Sequence, residues 1–77
     1  MRSAEILHTL AEIAEELTGT PITGHAPLKE NGVDSLLLVS LVVATEEACG
    51  ITFSDDDLQP ENLRTLADLA ALAEKYL

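Results

Sequence analysis

The first segment of the chain has apolar residues at the spacing of one face of an α-helix. Glutamates occupy most of the opposite face. The pattern predicts a helix over residues 3–18, with Ser3 as its N-cap and Gly19 at its C-terminal end. The predicted core positions of this helix are Ile6, Leu10, Ile13 and Leu17.

This periodicity breaks between residues 20 and 33. Two prolines and two glycines in this stretch exclude a long regular element, so the sequence predicts a loop. A loop of about 12 residues is long for a small chain, and such loops often carry function or cross the length of a bundle. Leu28 is the residue expected to hold this loop against the core.

A second apolar segment predicts a helix that is capped by Asp34 or Ser35, continues to about Cys49 and ends at Gly50. The helical period gives it a core stripe of Leu38, Leu41, Val42, Thr45 and Cys49. The opposite stripe contains Leu36, Leu37, Ser40, Val43, Ala44 and Glu47. Short helices cannot bury a helix that is apolar on nearly every side, so this second stripe is predicted to dock partner proteins.

Two capping patterns follow. Ser54 with Asp57 predicts a short helix that Pro60 limits, and Thr65 with Asp68 predicts the last helix. The inner face of that helix is predicted to contain Leu66, Leu69, Ala70, Ala73 and Leu77, and Lys75 suits its C-terminal dipole. Without a strand signal, we predict an all-α fold: one domain over residues 1–77, a small antiparallel four-helix bundle with three main helices and one short helix.

Composition narrows the classes of function. The chain has 77 residues with 14 acids against 4 bases, a formal net charge of −10. Such a surface repels nucleic acid and anionic lipid and favours basic patches on protein partners, although solubility alone also explains it. The single cysteine excludes an internal disulfide, and neither a membrane span nor a signal peptide is indicated. We expect a cytoplasmic monomer.

The residues give little support to catalysis or metal binding by the chain itself. No histidine or lysine lies near Ser35 in sequence to act as its base, and His8 and His25 are interpreted as incidental. The run of three aspartates at 55–57 lacks the ligand spacing of a calcium loop and is interpreted as a charged helix start. Cys49 is interpreted as a small buried apolar residue rather than a reactive thiol.

The pentapeptide Gly32-Val33-Asp34-Ser35-Leu36 resembles the prosthetic-group attachment site of acyl and peptidyl carrier proteins. Aspartate and serine are also common helix N-caps, so the tripeptide alone is a weak signal. The resemblance extends over essentially the whole chain, through the long loop before the serine, the helix after it and the downstream segment. Three further pairs lie at the spacing found in bacterial carriers: Glu46-Glu47, Gly50-Ile51 and Thr65 with Asp68.

This resemblance implies that Ser35 is esterified by 4'-phosphopantetheine donated by coenzyme A, with Asp34 and Leu36 beside the attachment point. The thiol of that group would hold acyl or aminoacyl groups as thioesters. Asp34 has two interpretations, a helix cap or a contact for the phosphopantetheinyl transferase. The other implied partners are a loading enzyme, either an adenylating ligase or an acyltransferase, and downstream condensing or tailoring enzymes.

The sequence departs from carriers of fatty-acid synthesis at two positions. Leu37 and Ser40 stand where those proteins usually have acids. This departure favours a carrier of polyketide or nonribosomal peptide assembly. A carrier of fatty-acid synthesis, a D-alanyl carrier and an unmodified helical adaptor remain as alternatives.

Overall fold

The computed structural model describes residues 3–77, without the side chains of Ser3 and Pro60. The described residues form three α-helices: α1 (Ser3–Thr18), α2 (Ser35–Cys49) and α3 (Leu66–Glu74). Three short 3-10 helices lie between them, at Lys29–Asn31, Asp55–Asp57 and Pro60–Asn62. The described residues contain no strand, and α1 packs against both other helices. The predicted all-α bundle is confirmed; the predicted N-cap role of Ser3 lies outside the described side chains.

The core is built from aliphatic side chains and one phenylalanine, contributed by all three helices and their connections. Burial of a large aliphatic side chain stabilises the fold by about 1.5–3 kcal/mol. Thr45 is a fully buried polar residue, and its hydroxyl donates to the carbonyl of Leu41 at 2.7 Å. The buried apolar residues are Ile6, Leu10, Ala14, Ile22, Leu28, Val33, Leu41, Val42, Phe53, Leu63, Leu66, Leu69, Ala70, Leu72 and Ala73.

The core face of α1 differs from the predicted one near its C-terminal end. Ala14 is buried there, whereas Ile13 is half-buried and Leu17 is exposed. Residues four apart lie along one line of a helix, and the buried line runs from Ile6 through Leu10 to Ala14. The helix ends where predicted, because Gly19 has the left-handed φ of +77°, and its N–H donates to the carbonyl of Glu15 at 2.7 Å.

The predicted short helix after Ser54 is a single 3-10 turn, Asp55–Asp57, and Pro60 begins a second, separate 3-10 turn before α3. The predicted capping box is absent, because the Ser54 side chain donates to an Asp57 carboxylate oxygen at 3.2 Å and caps no backbone N–H. The same oxygen accepts a hydrogen bond from the Tyr76 hydroxyl. The Tyr76 ring meets Phe53 edge to face, with centroids 5.2 Å apart. These contacts hold the 3-10 turn at Asp55–Asp57 against Tyr76, which follows α3.

The capping box of α3 is confirmed. The Thr65 hydroxyl accepts from the N–H of Asp68 at 3.1 Å, and the Asp68 carboxylate accepts from the N–H of Thr65 at 3.2 Å. The predicted inner face is wrong at Leu77, which is exposed because α3 ends at Glu74. Leu72 is buried instead.

Candidate functional site

The loop before α2 is fixed by backbone hydrogen bonds to the start of α3. The N–H of Leu28 donates to the carbonyl of Arg64 at 2.9 Å, and the N–H of Ala67 donates to the carbonyl of Gly24 at 2.9 Å. The Leu28 side chain is buried, so its predicted role in holding the loop is confirmed. The entrance to α2 therefore has a defined position relative to α3.

A left-handed turn at Gly32 directs the chain into α2. Gly32 has φ = +84°, a conformation that residues with a Cβ rarely adopt. The next residue, Val33, is buried, and its N–H donates to the carbonyl of Leu28 at 3.1 Å. This arrangement anchors the loop on one side of the helix start.

Asp34 is the N-cap of α2. Its backbone is extended, and its Oδ1 accepts from the N–H of Leu37 at 2.8 Å. Ser35 is the first residue of the helix and is exposed. Within the described residues, the Ser35 hydroxyl has no hydrogen-bond partner. A modifying enzyme could therefore approach it without displacing a side chain of this protein.

Ser35 borders a groove of about 820 Å³ between the loop and the segment that leads into α3. The walls of this groove are mainly apolar, and its charged residues are Asp34, Lys29 and Arg64. The apolar lining residues include Leu28, Val33, Leu38 and Leu63.

The core stripe of α2 lies where the sequence placed it. Leu41, Val42 and Thr45 are buried, and Leu38 and Cys49 are half-buried against the core. The α2 helix ends at Gly50, as predicted.

The opposite side of α2 exposes a line of apolar side chains. Leu36 is 77% exposed, Val39 is 59% exposed and Val43 is 45% exposed. We call these three residues the α2 apolar line. Sequence reasoning missed Val39, although its spacing of three from Leu36 and four from Val43 places it on their side of the helix.

The other predicted docking residues differ in exposure. Ser40 and Glu47 are exposed, but Leu37 and Ala44 are half-buried. The outward placement of Leu37 was therefore wrong in part, because this side chain packs against the core. Apolar residues cover most of the circumference of α2, so one edge of the predicted docking stripe packs against the core.

Within the described residues, neither histidine forms a hydrogen bond with Ser35. His8 is exposed and lies 2.7 Å from a carboxylate oxygen of Glu12 on the same helix, and His25 is exposed. Within residues 3–77, no group of three or more histidine, cysteine or acidic side chains is arranged to hold a metal ion. None of the described helices has the length and apolar character that a membrane span requires.

Comparisons with known proteins identify the family of this chain. A family model described as the phosphopantetheine attachment site matches residues 8–73. The chain belongs to this family of carrier proteins. Its relatives include an acyl carrier protein of Acidothermus cellulolyticus, 43% identical over 68 residues that cover 83% of this chain and 79% of the relative.

Two further relatives extend over more of the chain. The meromycolate extension acyl carrier protein of Mycolicibacterium aurum is 39% identical over 75 residues, covering 92% of this chain and 75% of the relative. An acyl carrier protein homolog of Mycoplasma genitalium is 41% identical over 81 aligned positions, covering 100% of this chain and 94% of the relative.

Membership in the carrier family implies a 4'-phosphopantetheine prosthetic group. The residues at the start of α2 fit such a group, because Ser35 offers an exposed hydroxyl and the adjacent groove combines apolar walls with two basic side chains. When bound, the group supplies a thiol that holds acyl groups as thioesters. Carrier proteins of this family work with phosphopantetheinyl transferases and with enzymes that handle acyl groups.

Proposed function

We propose that Ser35 is the attachment point of the 4'-phosphopantetheine and that the protein presents the cargo of this group to separate enzymes. The observation that carries the proposal is the exposed hydroxyl of Ser35 at the first position of α2, within the region that matches the carrier family. Catalysis is then left to the partner enzymes. Because the donor is coenzyme A, the proposed role places the protein in the cytoplasm.

The attachment point is tested by incubating the protein with coenzyme A and a broad-specificity phosphopantetheinyl transferase and then measuring its intact mass. We expect one added group in the wild type and none in Ser35→Ala. Ser54→Ala is the matched control, since Ser54 is also an exposed serine but lies outside α2 and its proposed docking surface. A mass increase in Ser35→Ala would place the group elsewhere. No increase in the wild type would favour the unmodified adaptor.

We further propose that partner enzymes dock on the α2 apolar line, helped by Ser40 and Glu47. The line begins one residue after Ser35, so an enzyme that reaches the prosthetic group also comes near this surface. Exposed leucine and valine side chains gain about 1.5–3 kcal/mol each when fully buried, which makes them effective contacts. Leu37 and Ala44 lie at the margin of this surface and contribute less exposed area.

For the cargo, we propose an acyl or aminoacyl intermediate of polyketide or nonribosomal peptide assembly. The support is the apolar outer surface of α2, which has Leu37 and Ser40 where carriers of fatty-acid synthesis usually have acids. The relatives favour a second candidate, the extension of a fatty acyl chain, because several of them are named as meromycolate extension acyl carrier proteins.

Mass spectrometry of the protein isolated from its native cells distinguishes the two candidates. The species attached through Ser35 would be released and identified by its mass. We expect a polyketide or aminoacyl intermediate. Recovery of long saturated or partly reduced fatty acyl chains would overturn this choice in favour of fatty-acyl extension, and recovery of D-alanine would favour a D-alanyl carrier.

A further inference from the structure

Positive charge is concentrated beside Ser35. The chain has four bases, of which Arg2 lies outside the described residues. Two of the other three, Lys29 and Arg64, line the groove that Ser35 borders. The third, Lys75, lies 3.8 Å from a carboxylate oxygen of Asp57. In a chain of net charge −10, the groove that Ser35 borders therefore has two of the three described bases in its lining.

The backbone fixes both bases at this groove. The hydrogen bond from the N–H of Leu28 to the carbonyl of Arg64 brings Lys29, the next residue along the loop, to the segment that contains Arg64. Both basic side chains are exposed, and within residues 3–77 neither forms an ion pair. They are therefore available to an anion bound at the groove.

The groove also has an acid and an apolar surface. Asp34 lines it, and the Asp34 carboxylate already accepts the N–H of Leu37. A phosphodiester on the neighbouring serine adds a second negative charge close to Asp34, which raises the electrostatic energy unless a cation compensates. Beyond these charges, the wall contains the side chains of Val33, Leu38 and Leu63.

We propose that Lys29 and Arg64 bind the phosphodiester of the prosthetic group and that Val33, Leu38 and Leu63 receive the geminal methyl groups that follow it. The proposal deepens the assignment of Ser35 and rests on it. The chemistry matches in order, because the 4'-phosphopantetheine has an anionic phosphodiester next to the protein and then a branched carbon with two methyl groups. Arginine and lysine are the side chains that bind phosphate oxygens most strongly.

The consequence concerns the resting state of the carrier. The inner part of the arm is held at the groove by weak contacts, and only the outer part with its thiol moves freely. Exposed charge pairs are weak, so a partner enzyme can release the arm at little cost. The groove thus binds the arm between encounters without trapping it.

Nuclear magnetic resonance of the modified protein tests this inference. Isotope-labelled protein would be modified with unlabelled coenzyme A, and its complete modification checked by intact mass. We expect nuclear Overhauser contacts between the geminal methyl groups and the methyl groups of Val33, Leu38 and Leu63. We also expect these methyl resonances to shift between the unmodified and modified forms. In about 1 M salt, where the screening length falls to about 3 Å, the contacts should weaken.

Variants of the two bases distinguish the contribution of their charges from that of the apolar groove residues. Lys29→Gln and Arg64→Gln replace exposed side chains and leave the backbone hydrogen bond at Arg64 in place. Each should reduce the Overhauser intensities by about two- to fivefold, the effect expected from losing one exposed charge pair. The double variant should lose them almost completely. Lys75→Gln is the matched control, because it removes one positive charge away from the groove, and it should behave as the wild type.

The outcomes distinguish this inference from the assignment of Ser35. A wild-type protein that gains no mass would contradict the attachment at Ser35. If the protein is fully modified but the resonances of Val33, Leu38 and Leu63 do not change, the binding of the arm in the groove is wrong, while the attachment at Ser35 stands. Shifts that persist unchanged in the double variant would overturn the role of the two bases. An equal loss of intensity in Lys75→Gln would show that overall charge, rather than these two residues, controls the position of the arm.

Discussion

Asp34 has two possible roles that a single substitution separates. Its carboxylate caps α2 through one oxygen, and an asparagine offers an oxygen in the same position without the charge. We expect Asp34→Asn to keep the stability of the wild type, and Asp34→Ala to lose about 1 kcal/mol in urea unfolding. We also expect the transferase to modify Asp34→Asn several-fold more slowly, because charged groups at the rim of an interface control association rates. Modification of this variant at the wild-type rate would show that the charge of Asp34 does not contribute to transferase binding and that Asp34 serves only as the helix cap.

The Asp57 side chain connects its 3-10 turn to Tyr76, the second residue after α3. The hydrogen bond from Tyr76 is the main cause that lowers the pKa of the Asp57 carboxyl below 3.8; Ser54 and Lys75 lower it further, and partial burial opposes them. A pKa lowered by folding stabilises the native state above the unfolded pKa, and this contribution is lost as the pH falls through the folded pKa.

The Tyr76→Phe variant tests this contribution. Phenylalanine keeps the ring that meets Phe53 but removes the hydroxyl that donates to Asp57. We expect the variant to melt at a lower temperature than the wild type at neutral pH, and the difference to shrink as the pH falls below about 4. A carbon-detected titration of the Asp57 carboxyl should show a higher pKa in the variant. An unchanged pKa would mean that Tyr76 does not control this group.

The α2 helix combines a core face with a face for partners, and Leu36 is the sharpest probe of the second. Leu36 is 77% exposed, so Leu36→Asp should leave stability nearly unchanged. We expect the substitution to slow loading by the dedicated enzyme about tenfold, which corresponds to about 1.4 kcal/mol. The apolar contact should dominate because burial of a leucine contributes about 1.5–3 kcal/mol, against about 0–1 kcal/mol for an exposed ion pair.

Two further variants of α2 serve as controls for that measurement. Glu47→Ala should slow loading less, and its effect should fade in salt. Leu37→Asp should instead destabilise the fold by more than about 1 kcal/mol, because Leu37 packs partly against the core. Normal loading of a folded Leu36→Asp variant would place the docking surface elsewhere, for example on the loop before Ser35.

The same helix shows which features the sequence could predict. The helix bounds, the N-cap at Asp34 and the buried positions Leu41, Val42 and Thr45 follow from local patterns, because capping and periodicity depend on neighbouring residues. The half-burial of Leu37 does not follow from them. It depends on how the rest of the bundle packs beside α2, which a helical wheel of one segment does not contain. The groove beside Ser35 was missed for the same reason, since the hydrogen bond between Leu28 and Arg64 joins distant parts of the chain.

At the scale of the whole molecule, a compact helical bundle carries a large excess of negative charge. The structure describes one ion pair between a lysine and an acid within residues 3–77, that of Lys75 with Asp57. Several acids have local structural roles, among them Asp34, Asp68 and Glu46, whose carboxylate accepts the N–H of Phe53 at 2.8 Å. Most of the remaining acids are exposed, so their mutual repulsion is relieved mainly by solvent and counterions.

The charge excess leads to an expectation about salt and pH. With 14 acids and a net charge of −10, we expect the melting temperature at pH 7 to rise when salt is added, because counterions screen the repulsion between exposed carboxylates. It should also rise on acidification to about pH 5.5, where partial protonation reduces the charge while the lowered pKa keeps Asp57 ionised. Calorimetry at low and high salt, and at pH 7 and about pH 5.5 in low salt, checks both effects, with a neutral osmolyte as the control for general stabilisation. A melting temperature that changes with neither salt nor pH would show that the acids are spaced too widely to repel one another. A fall on mild acidification would show that the stabilising contribution of carboxylates with native partners, such as Asp57, outweighs the repulsion among the other acids.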